Sequence, residues 1–341
     1  MSDYWTDETA SPAGDDPHAK GEERFDIRDV CPVFPLDVQM GINPKKTVPD
    51  GLSDALFAQP DPSASDIKKY GTSGDIPQLK LYVVIDAAKV LGLPEILMET
   101  GLHYECLFQG AAVGDLADVA PYLVELREGE TFTRNLFTQS DADWHLWEDE
   151  VGIFIRSYAT LDVLRAHLRK YTRIQDLTGK WFFFRFWEGA YLDEVLRSSD
   201  QAMNAGFFNE LHSFGYIFRT VIDDWCFREL HSVLPDSQAR KCFILDEQME
   251  QAMKRVNCRL RAEQSAARLE IPVSEKTGFV SLAQRHYMIG YDDEQKIKIS
   301  YGLFKKIPQE QHDAVWVVLE KGNDSLGFTH HRIKEHFGIE E

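Results

Sequence analysis

At 341 residues and 43% hydrophobic composition, the chain is long enough for one large domain or two lobes around a substantial core. Its formal charge of −19 sets it against nucleic-acid phosphate and anionic membrane as principal partners, because like charges repel at long range, and points to proteins instead. Five cysteines (Cys31, Cys106, Cys226, Cys242 and Cys258) without CxxC spacing suggest neither a disulfide framework nor a zinc site but a reducing, cytoplasmic setting; apolar runs stay short of the roughly 18 residues of a membrane span, and the acidic N-terminus is unlike a signal peptide.

Residues 1–24 mix Asp and Glu with Ser, Gly, Ala and Pro, a composition that buries too little surface to offset its ordering entropy, so a disordered acidic tail is expected. Nine of the 14 prolines lie at or before Pro77, which predicts an extended, looped extension over 25–78; Val33, Phe34, Leu36, Val38 and Met40 are its candidate docking residues. Regular alternation begins at Leu79. Leu81–Ile85 reads as a strand ending in Asp86, Pro94 opens a helix that Gly101 ends, Tyr104–Phe108 is a strand closed by Gly110, and Tyr122–Leu126 follows Pro121. A helix over Thr131–Phe137 precedes the apolar run Val151–Ile155, closed by Arg156 and Ser157. Thr160 then caps a helix whose Leu161, Leu164, Leu168 and Tyr171 share a stripe.

Thr172–Asp176 and Trp181–Trp187 read as a hairpin turning at Thr178-Gly179. Six of the seven residues from Trp181 to Trp187 are aromatic, so this strand has no polar face and is expected to be covered on both sides. A last hairpin joins Phe214–Ile222 to Trp225–Leu230 at Asp223-Asp224. Beyond Pro235 the pattern is helical, with one long amphipathic helix over Asp246–Glu270 and further helices around 275–288, 292–305, 308–321 and 329–337. Strands alternating with helices predict an α/β fold with a mixed, largely parallel sheet flanked by helices and a terminal β-hairpin, over 79–234, and an all-helical C-terminal lobe over 235–341.

Chemistry leaves little trace. The chain has no GxSxG, GxGxxG, P-loop or HExxH, and no cofactor is implied. His331 and Glu335 would share a helix face but His336 falls about 100° away, so a solvated helix is preferred to a metal site. Asp223 and Asp224 read as turn residues, and Cys106 as a small core residue. Arg156 and Arg185 each interrupt an apolar strand; an internal ion pair is preferred to a ligand site for both. Met249, Met253, Val256 and Leu260 form a seam on the long helix where an adaptable apolar partner surface is to be sought, although core packing is the commoner use of such residues.

Several pieces act in conjunction: Leu81-Tyr-Val-Val-Ile-Asp86, Leu107-Phe-Gln-Gly110, Leu116-Ala-Asp-Val-Ala-Pro-Tyr-Leu-Val-Glu-Leu126, Gly152-Ile-Phe-Ile-Arg-Ser157, Leu164-Arg-Ala-His-Leu-Arg169 and Phe184-Arg-Phe-Trp187. In order, spacing and residue type they resemble the type VI secretion effector chaperones, or adaptors, of the Tap/TEC family, across roughly Leu79 to Met203. Asp86, Gly110, Pro121, Arg156 and Arg185 are structural positions of that pattern here. Where the family tends to have aromatic-Asp-Pro-Arg, this chain has Trp187-Glu188-Gly189-Ala190, so no role for that Asp or Arg carries over. The resemblance implies a non-catalytic cytoplasmic protein that binds one toxic effector and helps mount it on the VgrG spike. Two other classes predict different surfaces: an enzyme with Arg156 and Arg185 lining a pocket, and an immunity protein that blocks the effector's toxic domain.

Overall fold

The structure, a computed structural model, describes residues 24–337 apart from 63, 72–73, 110–113, 115, 233–242 and 322–325. The acidic tail up to residue 23 and Gly110 thus lie outside the described residues. Two compact units meet in the sequence between Ala252 and Met253, inside a helix, rather than at 234.

In chain order the first unit contains β1 (Phe25–Val30), α1 (Ser53–Phe57), α2 (Ala64–Tyr70), β2 (Lys80–Asp86), α3 (Leu93–Thr100), β3 (Tyr104–Cys106), β4 (Pro121–Leu126), α4 (Thr131–Leu136) and β5 (Gly152–Ser157). There follow α5 (Leu161–Leu168), β6 (Arg173–Asp176), β7 (Trp181–Phe183), α6 (Gly189–Ser198), α7 (Gln201–Phe208), β8 (Ser213–Arg219), β9 (Trp225–Ser232) and β10 (Ile244–Leu245). Seven strands form one sheet in the order β1-β9-β8-β5-β2-β4-β3, and a small sheet has the order β10-β6-β7.

The expectation of a largely parallel sheet is overturned: every pairing in the large sheet is antiparallel, and only β10–β6 in the small sheet is parallel. The connection from β4 through α4 to β5 does return the chain in the same direction, as a helical crossover must. But β2 lies between β4 and β5 and runs against both. The parallel signature arose from burial. β2, β4 and β5 are covered on both faces, so their residues form continuous apolar runs although their neighbours are antiparallel.

The two faces of β2 show the layers. Leu81, Val83 and Ile85 join a core with Leu93 and Leu97 of α3, Phe132 and Leu136 of α4, and the extension. Tyr82 and Val84 point the other way and are equally buried, on the face where α5 packs on β3 and β4, α6 on β8 and α7 on β9. At the start of β5 a side chain at Gly152 would bring its Cβ within 1.8 Å of the Val84 carbonyl oxygen, so only glycine lets the two strands approach there.

The extension is built into this core. Phe25 to Val30 pairs in register with Ser232 to Phe227, which makes β1 the sheet's edge strand, and Val33, Leu36, Val48, Leu52, Ala55 and Leu56 are buried among the residues of β2, β4 and β5. Phe34, Val38 and Met40 stay exposed, so of the expected docking residues only Val33 and Leu36 are seated. The expectation that the cysteines remain reduced is also corrected, since Cys31 and Cys226 form a disulfide. Spacing could not reveal it: the two are 195 residues apart and meet because Val30 opposite Phe227 places the next pair side by side. Cys106 and Cys258 are free and buried.

The second unit contains the greater part of α8 (Glu247–Arg268), α9 (Val273–Met288), α10 (Glu294–Phe304), α11 (His312–Lys321) and α12 (Leu326–Phe337); the expectation of an all-helical stretch from 235 is corrected by β10, which pairs with β6. Val256, Ala262, Phe279, Ala283, Ile297, Val315, Leu319 and Ile333 are among its buried side chains.

Candidate functional site

The residues picked from the sequence sort into structural anchors, a buried to half-buried helix seam and an exposed His–Glu pair. Arg156 reaches from β5 to the end of α1, where its guanidinium donates to the carbonyls of Ala55 (2.8 Å) and Ala58. Those carbonyls have no partner within the helix, and a buried guanidinium satisfies two at once. Arg185 pairs with the buried carboxylate of Asp86 and, at 3.0 Å, with Glu188; Asp86 also accepts from the Ala88 amide at 3.1 Å. Pro121 opens β4 opposite Asp86, where a missing amide costs no ladder bond, and its carbonyl accepts from Leu107. Arg156 stands beside Leu81 at one end of β2, and Arg185 holds Asp86 at the other. The two arginines therefore share no pocket, and the site that an enzymatic reading placed between them is not there.

On α8, Met249 and Val256 are buried, Met253 and Leu260 half-buried, and the buried stripe runs through Ala252, Val256, Ala262 and Ala266. These four residues do not form an exposed apolar face. On α12, His331 and Glu335 are both exposed and 3.4 Å apart, while His330 turns inward. Among the described residues no three His, Cys, Asp or Glu side chains gather as a metal-holding group.

The departure that exposes a surface is the aromatic stretch. Expected to be covered on both sides as one long strand, it is extended in β7 only over Trp181–Phe183, and then turns so that Phe184, Phe186 and Trp187 enter the core. In β7 the alternation is plain: Phe182 and, beyond it, Phe184 face inward with Ile174 of β6, while Trp181 and Phe183 lie with Arg173 and Gln175 on the other face. Trp181 is 51% exposed and Phe183 67%. Arg185, the one residue of the stretch that is not aromatic, alternates with Trp181 and Phe183 and is exposed like them, so the polar marker of the wet face was present but outweighed by the six aromatics.

These two rings form one wall of an open cleft of about 380 Å3, and Leu107, Phe108 and Gln109, just after β3, form another. Phe108 bridges the walls, its ring 6.1 Å from that of Phe183 and 6.5 Å from that of Trp187. The floor and rim come from the turn after α5: Arg169, Lys170, Thr172 and Arg173. α5 puts Leu164 and Leu168 into the core, which leaves Arg165 and Arg169 one turn apart on its cleft side. Arg165 donates to the Cys106 carbonyl at 3.0 Å and stands 3.4 Å from Glu105, which ties α5 to β3. The Arg173 guanidinium lies 5.3 Å from the centre of the Phe183 ring. Among the described residues no carboxylate pairs with Arg169, Lys170 or Arg173. Burial first, and the neighbouring Arg165 second, make the charge on Arg169 less favourable than usual.

The cleft sets the cations Arg169, Lys170 and Arg173 beside the flat apolar rings of Trp181, Phe183 and Phe108, a surface suited to a ligand that is both anionic and apolar. Sequence reasoning missed it, although one signal was present: residues 165–173 contain Arg165, Arg169, Lys170 and Arg173 and no acidic residue, in a chain of net charge −19.

Behind the cleft, α6 begins at the position where this chain departs from the family pattern. A Cβ on Gly189 would lie 2.3 Å from the Tyr216 ring, so glycine is needed for α6 to seat on β8. Asp193 on the same helix is buried and accepts from Arg197 (2.6 Å), Arg228 (3.1 Å) and the Tyr216 hydroxyl (2.9 Å). Burial raises its pKa, but these three donors together outweigh burial and hold the carboxyl below its usual range. Arg228 also grips Asp29 of β1 through two bonds, 2.7 and 2.6 Å. α6 and β9 are thereby tied to the extension.

No curated protein and no solved structure matches the chain. Residues 81–205, from β2 into α7 and including every residue that lines the cleft, match the model of a family described as a domain of unknown function, DUF4123.

Proposed function

We propose that this chain is a non-catalytic adaptor, a chaperone that binds a type VI secretion effector and promotes its loading onto the VgrG spike. The observation that carries the reading is the uncovered cationic, aromatic cleft, which lies wholly within the segment matching the DUF4123 model. That segment coincides with the one that resembles the Tap/TEC adaptors. A monomeric soluble fold usually tucks such rings away or edges them with charge of both signs, and an apolar patch rimmed by one sign of charge marks a place for a partner. Binding there stabilises the effector's loading segment stoichiometrically for as long as the complex lasts. The adaptor works in the cytoplasm and stays behind when the effector leaves.

Affinity capture with the full chain, from source cells that express the secretion components, tests this. Recovery of a spike protein together with a multidomain toxin is expected, and a toxin lacking its toxic domain should be captured as well. Recovery of neither, with both present in the lysate, overturns the adaptor reading; capture that requires the toxic domain turns it into an immunity protein. A chain shortened to Leu79 is unsuitable bait, because it lacks β1, Cys31 and the buried Leu52 and Leu56.

A further inference from the structure

The free edge of β7 borders the cleft. β7 is the last strand of the β10-β6-β7 sheet, bonded to β6 on one side only. The Phe184 amide donates to the Thr172 carbonyl, and the Asp176 amide to the Lys180 carbonyl, at 2.9 Å each. In an antiparallel pair the bonding residues alternate, so residues 180, 182 and 184 turn their backbone groups to β6, and Trp181 and Phe183 turn theirs outward. Among the described residues nothing pairs with that edge. The same two residues supply the exposed rings.

We propose that this edge docks an extended, acidic segment of a partner protein, which adds as a strand beside Trp181–Phe183. Its carboxylates face Arg169, Lys170 and Arg173, and its apolar side chains fill the slot between Phe108 and Phe183. The inference deepens the adaptor reading and rests on it, by naming the surface and the chemistry of the segment that is held.

Strand addition takes its affinity from main-chain hydrogen bonds and its selectivity from alternate side chains, and here both are on offer along one line. Edges that are meant to stay single usually carry a charge, a proline or a bulge at their outward positions. β7 has tryptophan and phenylalanine there. The charge argues for an acidic occupant: among the described residues the cleft's Arg169, Lys170 and Arg173 have no acidic partner, in a chain whose net charge is −19. A second copy of this chain, adding edge to edge, would set the same cations against one another. Single-stranded nucleic acid also favours cationic aromatic surfaces, but the acidic remainder of the molecule repels it at long range.

The test uses the full chain and fluorescein-labelled ten-residue peptides read by anisotropy at low salt. One peptide alternates Glu with Val, one alternates Lys with Val, and two copies of the Glu peptide are N-methylated at every second amide, in the two possible registers. An oligothymidylate serves as the nucleic-acid probe. Saturable binding of the Glu peptide is expected, at least tenfold tighter than binding of the Lys peptide. One methylation register should weaken it at least tenfold and the other should leave it unchanged, because only alternate amides face the neighbouring strand. An R169E/K170E double variant, with circular dichroism and thermal midpoint unchanged, should lose tenfold or more, and binding should slow hydrogen exchange at the Trp181 and Phe183 amides. Equal binding of the Glu and Lys peptides, indifference to methylation register, tighter binding of the oligothymidylate, or no saturable binding up to millimolar peptide each overturns the proposal. The adaptor reading fails separately. If wild type and R169E/K170E capture spike and toxin equally well, the adaptor stands and this docking edge falls. If wild type captures neither while the Glu peptide binds as described, the edge stands and the adaptor falls.

Discussion

His167, His286 and His330 are buried, His286 bonded through both ring nitrogens and the other two through Nε2. His167 donates from Nε2 to the Phe207 carbonyl at 2.7 Å. In the helical unit, His286 Nδ1 donates to the Leu282 carbonyl (2.9 Å), which leaves Nε2 to accept from the Ser300 hydroxyl (3.0 Å), and Ser300 in turn accepts from His330 Nε2. In this arrangement His286 is the neutral tautomer that carries its proton on Nδ1. Burial is the main cause that lowers all three from 6.5 to about 4. Between pH 6.5 and 4 the unfolded chain takes up protons that the folded one refuses, so the stabilisation from neutral burial is complete above pH 6.5 and is lost as pH falls towards 4. Each of His167 and His286 accounts for on the order of 3 kcal/mol over that window. Urea midpoints measured from pH 7.5 to 4.5 should fall steeply, and H286F should flatten the fall; a midpoint constant over that range would contradict the account. Arg156 gives the second residue-level prediction. R156M keeps the stem but leaves the carbonyls of Ala55 and Ala58 unpaired, and it should cost about 2–3 kcal/mol in urea unfolding while peptide binding at β7 persists.

At the scale of elements, β1 and β7 mark the limits of what the sequence carries. Strands such as Leu81–Ile85 and Tyr122–Leu126 were legible because burial on both faces leaves an unbroken apolar run, and the helices after Pro235 were legible from their stripes. The direction of each strand was not, because a run buried on both faces is the same in parallel and antiparallel neighbours; only the placement of β2 between β4 and β5 decides it. β1, FDIRDV, has three charged residues in six and follows an acidic tail, yet it pairs along its whole length with β9. Its edge position explains the composition, since charges on an edge discourage further pairing. Three links hold it there: the ladder, the Arg228–Asp29 bonds and the Cys31–Cys226 disulfide. Closing a loop of 195 residues removes about 5 kcal/mol of denatured-state entropy in the chain-entropy account. Reduction, or C31S/C226S, should therefore lower the unfolding free energy by up to about that amount and raise hydrogen exchange first in β1. Equal exchange in the oxidised and reduced proteins would show that the ladder alone suffices.

For the whole molecule, the division into a sheet-based unit and a helical unit was visible in the sequence, but the segment before Leu79 was assigned to an extension when it completes the core of the first unit. Val33, Leu52 and Leu56 lie among prolines and turns, and no periodic pattern marks a loop that packs against a distant sheet. The cleft was hidden for a similar reason: its walls come from Phe108, Arg169 and Trp181, which belong to three segments that only the fold brings together. The pairing of β1 with β9 also has a consequence in time. On the ribosome, Phe25–Val30 emerges first, but its partner strand is complete only at Ser232, some 200 residues later. At the usual 5–20 residues per second that is roughly 10–40 s during which β1 has no partner strand. Within the first unit, the strand made first is therefore among the last to find its place, and the nascent chain is most exposed to misassembly just before β9 arrives.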